Sequence, residues 1–151
     1  MRIALFQPDI PQNTGNILRL GACFDIHVDI IGPTGFRLDD KRIRRSAMDY
    51  IENVNYKQHL DWKNFYEWTR ENNFNLILIT TKVKNIYYNY KFQNKDILLF
   101  GQESAGVPEE IHKIVKNKLT IPMTQGMRSI NLSSAVAIVA SEACKQLNNF
   151  N

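Results

Sequence analysis

The feature that most constrains the fold is a regular alternation between apolar, strand-like runs and helix-like periods along the chain. Two of the runs, NLILITT (75–81) and DILLFG (96–101), are continuously apolar, which is typical of strands buried on both faces of a sheet. The alternation predicts an α/β fold with a single, mostly parallel sheet flanked by helices. The other predicted strands are 2–6, 27–32 and 118–123.

Helix signals occupy the segments between these strands. Within residues 13–24, Ile17, Leu20, Gly21 and Phe24 follow the i, i+3, i+4, i+7 spacing of an amphipathic helix. Further helices are predicted after Asp39 or Asp40, after Asp61, from Pro108, and from the SINLSS segment (129–134) to about Leu147.

The bulk composition predicts one soluble domain. The chain has 151 residues and no internal repeat or linker, so residues 1–151 are expected to form a single domain. No apolar run approaches the ~18 residues of a membrane span. The apolar stretch before Gln7 is also too short for a secretory signal, so a cytoplasmic protein is expected.

Cysteine and histidine are sparse in this chain. Cys23 and Cys144 lie far apart in predicted helices, and both are expected to be buried thiols. His27, His59 and His112 show no metal-ligand spacing, so no bound metal is expected. The net charge of +4 is a mild hint of a polyanionic partner.

Ligands of open α/β sheets bind beyond the carboxyl ends of the strands, so the loops that follow strands are the places to search. In GQESAGVP (101–108), Gly101 and Gly106 allow a ligand to approach the backbone or permit positive φ. An ordinary strand-to-helix turn would also contain such glycines. No dinucleotide-binding or triphosphate-binding glycine pattern is present.

The loop IPMTQGMRSINLSS (121–134) is longer than the about 2–6 residues that usually join a strand to a helix. Ser129 or Asn131 could cap the following helix while the other polar groups tie down the loop. One cap satisfies only one or two of the four free amides at a helix start, so the surplus polar groups could instead face a bound molecule.

The segment PQNTGNILRLGA (11–22) follows the first strand and carries Asn13, Asn16 and Arg19 at three-residue spacing. This spacing predicts that they share one side of the helix. A lone helical arginine is usually solvated, but an arginine flanked by two asparagines at the mouth of a sheet is a candidate for holding a phosphate or polarising a hydroxyl.

The segment after Asp40 places Lys41, Arg42, Arg44 and Arg45 within five residues. Such a cluster is either a solvated helix face balanced by neighbouring aspartates or a contact for RNA phosphates. Positive side chains that bind phosphates release counterions from the RNA, and this release favours binding. Arg128 is a further candidate for phosphate binding.

The segments NTGNILRLGA, TGFRLDDKRIRRSAMDY, FGQESAGVP and IPMTQGMRSINLSSAVAI occur in this order and at these distances. Together they resemble the SPOUT class of RNA methyltransferases. More narrowly, they are similar to the minimal YibK/TrmL type, which methylates the 2′-hydroxyl of the tRNA wobble ribose (cytidine or uridine 34). The resemblance covers about residues 2–147.

The resemblance implies a C-terminal deep trefoil knot, a homodimer, and an RNA site shared between subunits at which the anticodon loop of tRNA binds. It also implies S-adenosylmethionine as the methyl donor, with S-adenosylhomocysteine as product, and neither a metal nor a membrane. Arg19 matches the arginine at the target ribose, with Asn13 and Asn16 nearby. RNA contacts are expected from Lys41, Arg42, Arg44, Arg45 and Arg128, and the cofactor site is expected to comprise Ile79, Gly101, Glu103, Ile121, Met123, Ser129, Asn131 and Ser133.

Positioning is expected to dominate the rate, because orientation can supply about 7–11 kcal/mol and a positioned base about 10²- to 10⁴-fold. A guanidinium is an awkward base, so Arg19 is interpreted as a clamp that orients the target and stabilises negative charge. The alternative, that Arg19 takes the proton, stays open and requires an assembled dimer that strongly depresses its pKa. Two alternatives stay open: the same chemistry on another RNA ribose, and a knotted dimer that binds RNA without methylating it.

Overall fold

The structure is a computed structural model that describes residues 1–48, 50 and 54–148. Strands and helices alternate through these residues. The strands are β1 (Arg2–Phe6), β2 (His27–Ile31), β3 (Tyr56–His59), β4 (Asn75–Ile79), β5 (Asp96–Phe100) and β6 (Asn117–Leu119). The helices are α1 (Pro11–Phe24), α2 (Lys41–Ala47), α3 (Trp62–Glu71), α4 (Glu109–Ile114) and α5 (Leu132–Gln146), with a short 3-10 helix at Tyr87–Asn89.

The six strands form one sheet in the order β3-β2-β1-β5-β4-β6. Neighbouring strands pair in parallel throughout, so every strand ends at the same edge. Strands β2 and β3 lie on one side of β1, and β5, β4 and β6 lie on the other side, so the strand order reverses at β1. Such a switch point is where open parallel sheets form ligand crevices at their carboxyl edge.

Helices cover both faces of the sheet because alternate side chains of the central strands point in opposite directions. Ile3 and Leu5 of β1 belong to the core that includes Ile17 of α1 and Val139 of α5. Ala4 and Phe6 belong to the second core, on the side of α3 and α4. Burial on both faces explains why the central strands read as continuous apolar runs.

The predicted α/β fold with a parallel sheet is confirmed, and so are the principal helix caps. The Asp40 side chain accepts a hydrogen bond from the Arg42 amide at the start of α2, and Asp61 accepts one from Asn64 at the start of α3. Strand β3 was not predicted, because YKQH is an edge strand whose first three residues are exposed and carry no apolar run.

The expectation for cysteine is half right. Cys144 is buried, whereas Cys23 is exposed. Cys23 lies two positions after the buried Gly21 of α1, and two residues turn a helix by about 200°, so its side chain faces away from the core.

Within the described residues, no helix is long and apolar enough to cross a membrane. Over the same residues, no group of three or more His, Cys, Asp or Glu side chains is placed to hold a metal ion. The trefoil knot stays a prediction.

Candidate active site

A cavity of about 470 Å³ lies at the carboxyl ends of β4 and β5, beside the loop that follows β1. Its volume falls in the range of about 300–1,000 Å³ usual for small-molecule sites. Leu78, Phe100, Ile121 and Leu132 give it apolar walls. Its polar groups come from α1 and α4, from the loops that follow β4, β5 and β6, and from the start of α5, so the sheet topology assembles them.

The loop between β5 and α4 is closed tightly by its glycines. The amide of Gln102 donates to the Gly106 carbonyl at 2.9 Å, and the Gly106 amide donates back to the Gln102 carbonyl at 2.8 Å. Gly106 has a φ of +71°, and a Cβ on Gly101 would lie 2.5 Å from the Gly106 carbonyl carbon. Glycine is therefore required at both positions for the backbone to form this wall of the cavity.

Glu103 is held in the cavity by two protein donors. The amide of Asp9 donates to Oε2 of Glu103 at 2.9 Å, and Nδ2 of Asn13 donates to Oε1 at 3.1 Å. The Oδ1 atom of Asn13 in turn accepts from Nδ2 of Asn131 at 2.9 Å. This chain of hydrogen bonds joins the loops after β1 and β5 to the start of α5.

Asn131 caps α5 while it holds Asn13. Its Oδ1 atom accepts from the Ser134 amide at 3.3 Å and from the Ser133 hydroxyl at 2.7 Å. The polar residues at the start of α5 therefore have different roles. Asn131 caps the helix, the Ser133 hydroxyl donates to the capping oxygen, and Ser129 lines the cavity.

The carboxyl groups of Asp9 and Glu103 interact and have opposite pKa shifts. Burial and a hydrogen bond with Asp9 raise the pKa of Glu103. The same hydrogen bond with Glu103 lowers the pKa of Asp9, and the hydroxyl of Ser104 donates to Asp9 as well. Glu103 is therefore the member of the pair that protonates first as the pH falls.

The structure brings together the predicted cofactor residues with one exception. Ser133 does not line the cavity and acts on it through Asn131. Asn13, which was predicted beside the reacting ribose, also lines the cavity. The predicted cofactor residues that line it are Ile79, Gly101, Glu103, Ile121, Met123, Ser129 and Asn131.

Arg19 and Asn16 lie outside the cavity and are exposed. Nη1 of Arg19 lies 3.1 Å from the sulfur of Met48, and its guanidinium lies 5.3 Å from the centre of the Tyr50 ring. The prediction of one shared side is therefore wrong for Asn13 and Arg19. Each three-residue step falls about 60° short of a full helical turn, so six residues separate their directions by about 120°.

The predicted RNA-binding residues of α2 are exposed but differ in charge pairing. Arg42 forms a salt bridge with Asp40 at 2.7 Å, and its hydrogen bonds lower the pKa of Asp40 to about 2. Lys41, Arg44 and Arg45 form no salt bridge within the described part of the chain. Arg128 is exposed in the loop before α5.

Sequence reasoning missed the polar residues on the β4 side of the cavity. Thr80, Thr81 and Lys82 line it directly after β4, and the rule about strand ends would have found them. His112 of α4 lines it as well. No local signal marks His112, since its position depends on how α4 packs beside β4.

The chain is similar to known proteins over nearly its whole length. Residues 1–141 match the SpoU rRNA Methylase family. The chain is 43% identical over 145 residues to the tRNA (cytidine(34)-2′-O)-methyltransferase of Beijerinckia indica, covering 96% of this chain and 91% of that protein. It is 42% identical over 149 residues to the protein of the same name from Escherichia coli K12, covering 97% and 94%.

Solved structures show the same architecture. One, described as "Structural insights into the 2-OH methylation of C/U34 on tRNA", has a TM-score of 0.93 and 34% identity, covering 99% of this chain and 97% of that chain. The SpoU methyltransferase AviRb from Streptomyces viridochromogenes, in complex with the cofactor AdoMet, has a TM-score of 0.90. At 18% identity, covering 100% of this chain and 59% of that chain, AviRb shows likeness of fold alone.

Proposed function

The chain belongs to the SpoU rRNA methylase family, and we propose that it methylates the 2′-hydroxyl of the wobble ribose, nucleotide 34, of tRNA. The enzyme class and the target position follow from relatives at 43% and 42% identity that align over nearly the whole chain. The observation that carries the proposal is that the 101–106 and 121–131 loops line one shared cavity. These loops are distant in sequence, and the fold joins them at the edge where ligands bind.

S-adenosylmethionine fits the chemistry of this cavity. The apolar side chains of Phe100, Ile121 and Leu132 suit an adenine ring, while the close approach of Gly101 to Gly106 leaves backbone rather than side chains along one wall. Bound there, the cofactor supplies an electrophilic methyl group on a positively charged sulfur, and S-adenosylhomocysteine is the product.

Glu103 serves to position other groups. Both of its carboxyl oxygens already accept hydrogen bonds from the protein, one from Asp9 and one from Asn13. A carboxyl group engaged in this way orients Asn13 and the 101–106 loop, and it is poorly placed to take the proton of the ribose hydroxyl. Asn13 and Asn131 then present a fixed amide pair at the mouth of the cavity.

Arg19 acts as a clamp on the target phosphate or hydroxyl and stabilises negative charge as it develops. Because Arg19 is exposed and outside the cavity of its own chain, we propose that two chains form a homodimer and share the RNA site. Exposed apolar side chains in the loop before α5 and on α5 support a partner surface there: Met127 at 64%, Ile130 at 38% and Ile138 at 37% exposure.

The anticodon loop of the tRNA is held by positive charge. Lys41, Arg44 and Arg45 are exposed and free of salt bridges within the described residues, so they can replace counterions along the RNA backbone. Arg128 adds a positive charge next to Ser129, which lines the cavity. We also propose that the enzyme acts in the cytoplasm, where its tRNA substrate is found.

One experiment tests the proposal directly. The protein is incubated with labelled S-adenosylmethionine and total tRNA lacking this modification, and the RNA is digested and mapped by mass spectrometry. We expect a 2′-O-methyl nucleoside at position 34. Methylation only at another position would reject the proposed target, and no methylation of any tRNA would reject the proposed activity.

A further inference from the structure

The β4 side of the cavity carries a histidine that the proposed mechanism does not use. His112 of α4 is only 8% exposed and lines the cavity. Its Nε2 atom lies 3.4 Å from the hydroxyl of Thr80, which is long for a hydrogen bond and leaves the imidazole able to bond a ligand. A nearly buried, weakly bonded polar ring facing a cofactor cavity is a site component rather than a surface group.

The charges around His112 favour its neutral form. Burial and the positive charges of Lys82 and Lys118 lower the pKa of His112, and the carboxylate of Glu109 opposes them. Glu109 is itself close to Lys82, with Nζ 3.8 Å from Oε2. The facing charges thus come from the loop after β4, from β6 and from α4. Glu103 also lines the cavity, and it faces the loop after β1, where it accepts from the Asp9 amide.

We propose that His112 is a specificity residue for the charge of the cofactor: its neutral imidazole bonds the cofactor beside Thr80 and lets the cavity accept a cationic sulfonium. The inference rests on the proposed function and deepens it. S-adenosylmethionine and S-adenosylhomocysteine differ by one methyl group and the positive charge on sulfur. A protonated His112 would repel the positively charged sulfonium in the same cavity, whereas the neutral thioether of the product would not feel this repulsion.

Binding measurements on two proteins test the proposal. The Kd values of S-adenosylmethionine and S-adenosylhomocysteine are measured by calorimetry at pH 8 and pH 5.5 for the wild type and for His112→Gln. Glutamine keeps hydrogen-bonding capacity but cannot become charged. For the wild type, we expect the ratio of the two Kd values to shift against S-adenosylmethionine by roughly two- to fivefold at the lower pH, because a lowered pKa leaves His112 only partly protonated there.

The ratio of the Kd values of S-adenosylmethionine and S-adenosylhomocysteine should shift markedly less between pH 8 and pH 5.5 in His112→Gln. Ionisation of the ligands and of Glu103 occurs in both proteins and cancels in the comparison. An equal shift in the two proteins would overturn the inference and leave the proposed function standing. Failure of the wild type to bind either ligand would overturn the proposed function, and this inference with it.

A second measurement uses only the wild-type protein and does not depend on the folding of a variant. NMR titration of the His112 imidazole should show that S-adenosylmethionine lowers the pKa of His112 more than S-adenosylhomocysteine does. Coupling between proton binding and ligand binding is reciprocal, so this difference must accompany the shift in affinity. Identical pKa values of His112 with the two ligands would overturn the proposal.

Discussion

At the scale of single residues, Asn131 joins a structural task to a functional one. Its carbonyl oxygen caps α5, and its amide nitrogen holds Asn13 in the cavity. The same arrangement explains why this position has an amide side chain. A serine or aspartate could cap the helix equally well, but neither could also donate to Asn13 from a planar amide.

Two substitutions of Asn131 separate these tasks. Asn131→Ala should lower the free energy of unfolding by about 1 kcal/mol because the cap is lost. Asn131→Asp keeps the capping oxygen and should remain close to wild-type stability. Both lose the donor to Asn13, and we expect each to slow methyl transfer by roughly tenfold or more. Urea denaturation and single-turnover assays give the two quantities. A fully active Asn131→Asp protein would contradict the role given to the Asn13–Asn131 bond.

The second prediction at this scale concerns Arg19. Arg19→Ala should abolish methyl transfer and leave the affinity for S-adenosylmethionine nearly unchanged, because the proposed clamp acts on the RNA and Arg19 does not line the cavity. Calorimetry and a tRNA methylation assay measure the two effects. Arg70→Ala, an exposed arginine on α3, is the matched control and should retain activity. Wild-type turnover in Arg19→Ala would remove Arg19 from the mechanism.

At the scale of elements, the conformation of the 101–106 loop depends on the close approach of Gly101 to the backbone of Gly106. Gly101→Ala would place a Cβ 2.5 Å from the Gly106 carbonyl carbon, so the backbone must move. We expect the affinity for S-adenosylmethionine to fall by roughly tenfold or more, since the displaced backbone forms the cavity wall.

Gly126→Ala, in the 121–131 loop but not lining the cavity, is the control for Gly101→Ala. Its Cβ would meet no atom within 4 Å, but its φ of +88° strains any other residue. This substitution should cost about 1–2 kcal/mol of stability with little change in cofactor affinity. Equal losses of affinity in the two variants, measured by calorimetry, would show that the Gly101 contact has no special role.

If helix α2 contacts the RNA backbone as proposed, its charges should contribute to the salt dependence of RNA binding. Each of three single substitutions should make the plot of log affinity for tRNA against log salt concentration less steep by about 0.7–0.9. They are Lys41→Ala, Arg44→Ala and Arg45→Ala. Arg42→Ala should change the slope less, because Asp40 already neutralises Arg42. Filter binding across a series of salt concentrations measures the slopes. Equal slopes for all four variants would contradict a contact between this helix face and the RNA backbone.

At the scale of the whole molecule, a buried charge cluster ties together β1, β2 and β3. Asp29 is fully buried and accepts from Nε of Arg2 at 2.7 Å, while one of its oxygens lies 2.8 Å from Nε2 of His59. Burial alone raises the pKa of Asp29, but the hydrogen bonds from His59 and Arg2 outweigh it and hold the pKa below its usual value.

The cluster predicts acid sensitivity. Because the pKa of Asp29 is lower in the folded state, its contribution is fully present above the unfolded value of about 3.9 and is lost as pH falls through the folded value. Asp29→Asn should cost roughly 3–5 kcal/mol at pH 7, since it leaves Arg2 without its buried partner. The substitution should also make the free energy of unfolding decrease less between pH 7 and pH 3 than it does in the wild type. Urea denaturation at pH 7 and pH 3 tests both effects, with the exposed Asp39→Asn as control; a wild-type pH dependence in Asp29→Asn would contradict the argument.

Local patterns in the sequence were sufficient to predict most of the strands and helices of the fold. The apolar runs, the capping residues Asp40 and Asp61, and the helical period of α1 each act over a few residues, so they can be found without knowing the fold. Strand β3 could not be found in this way, because an exposed edge strand needs no apolar pattern and is defined by its pairing with β2.

The sequence by itself determined the alternation of most strands and helices, the polar loops at strand ends and, through four motifs in order, the family. Only the tertiary structure decided which side chains meet: Asn13 reaches Asn131 across 118 positions, His112 enters the cavity, and Arg19 does not. The physical reason is that strand order and helix rotation determine these contacts. Both are settled by packing over the whole sheet, and no local run of residues contains that information.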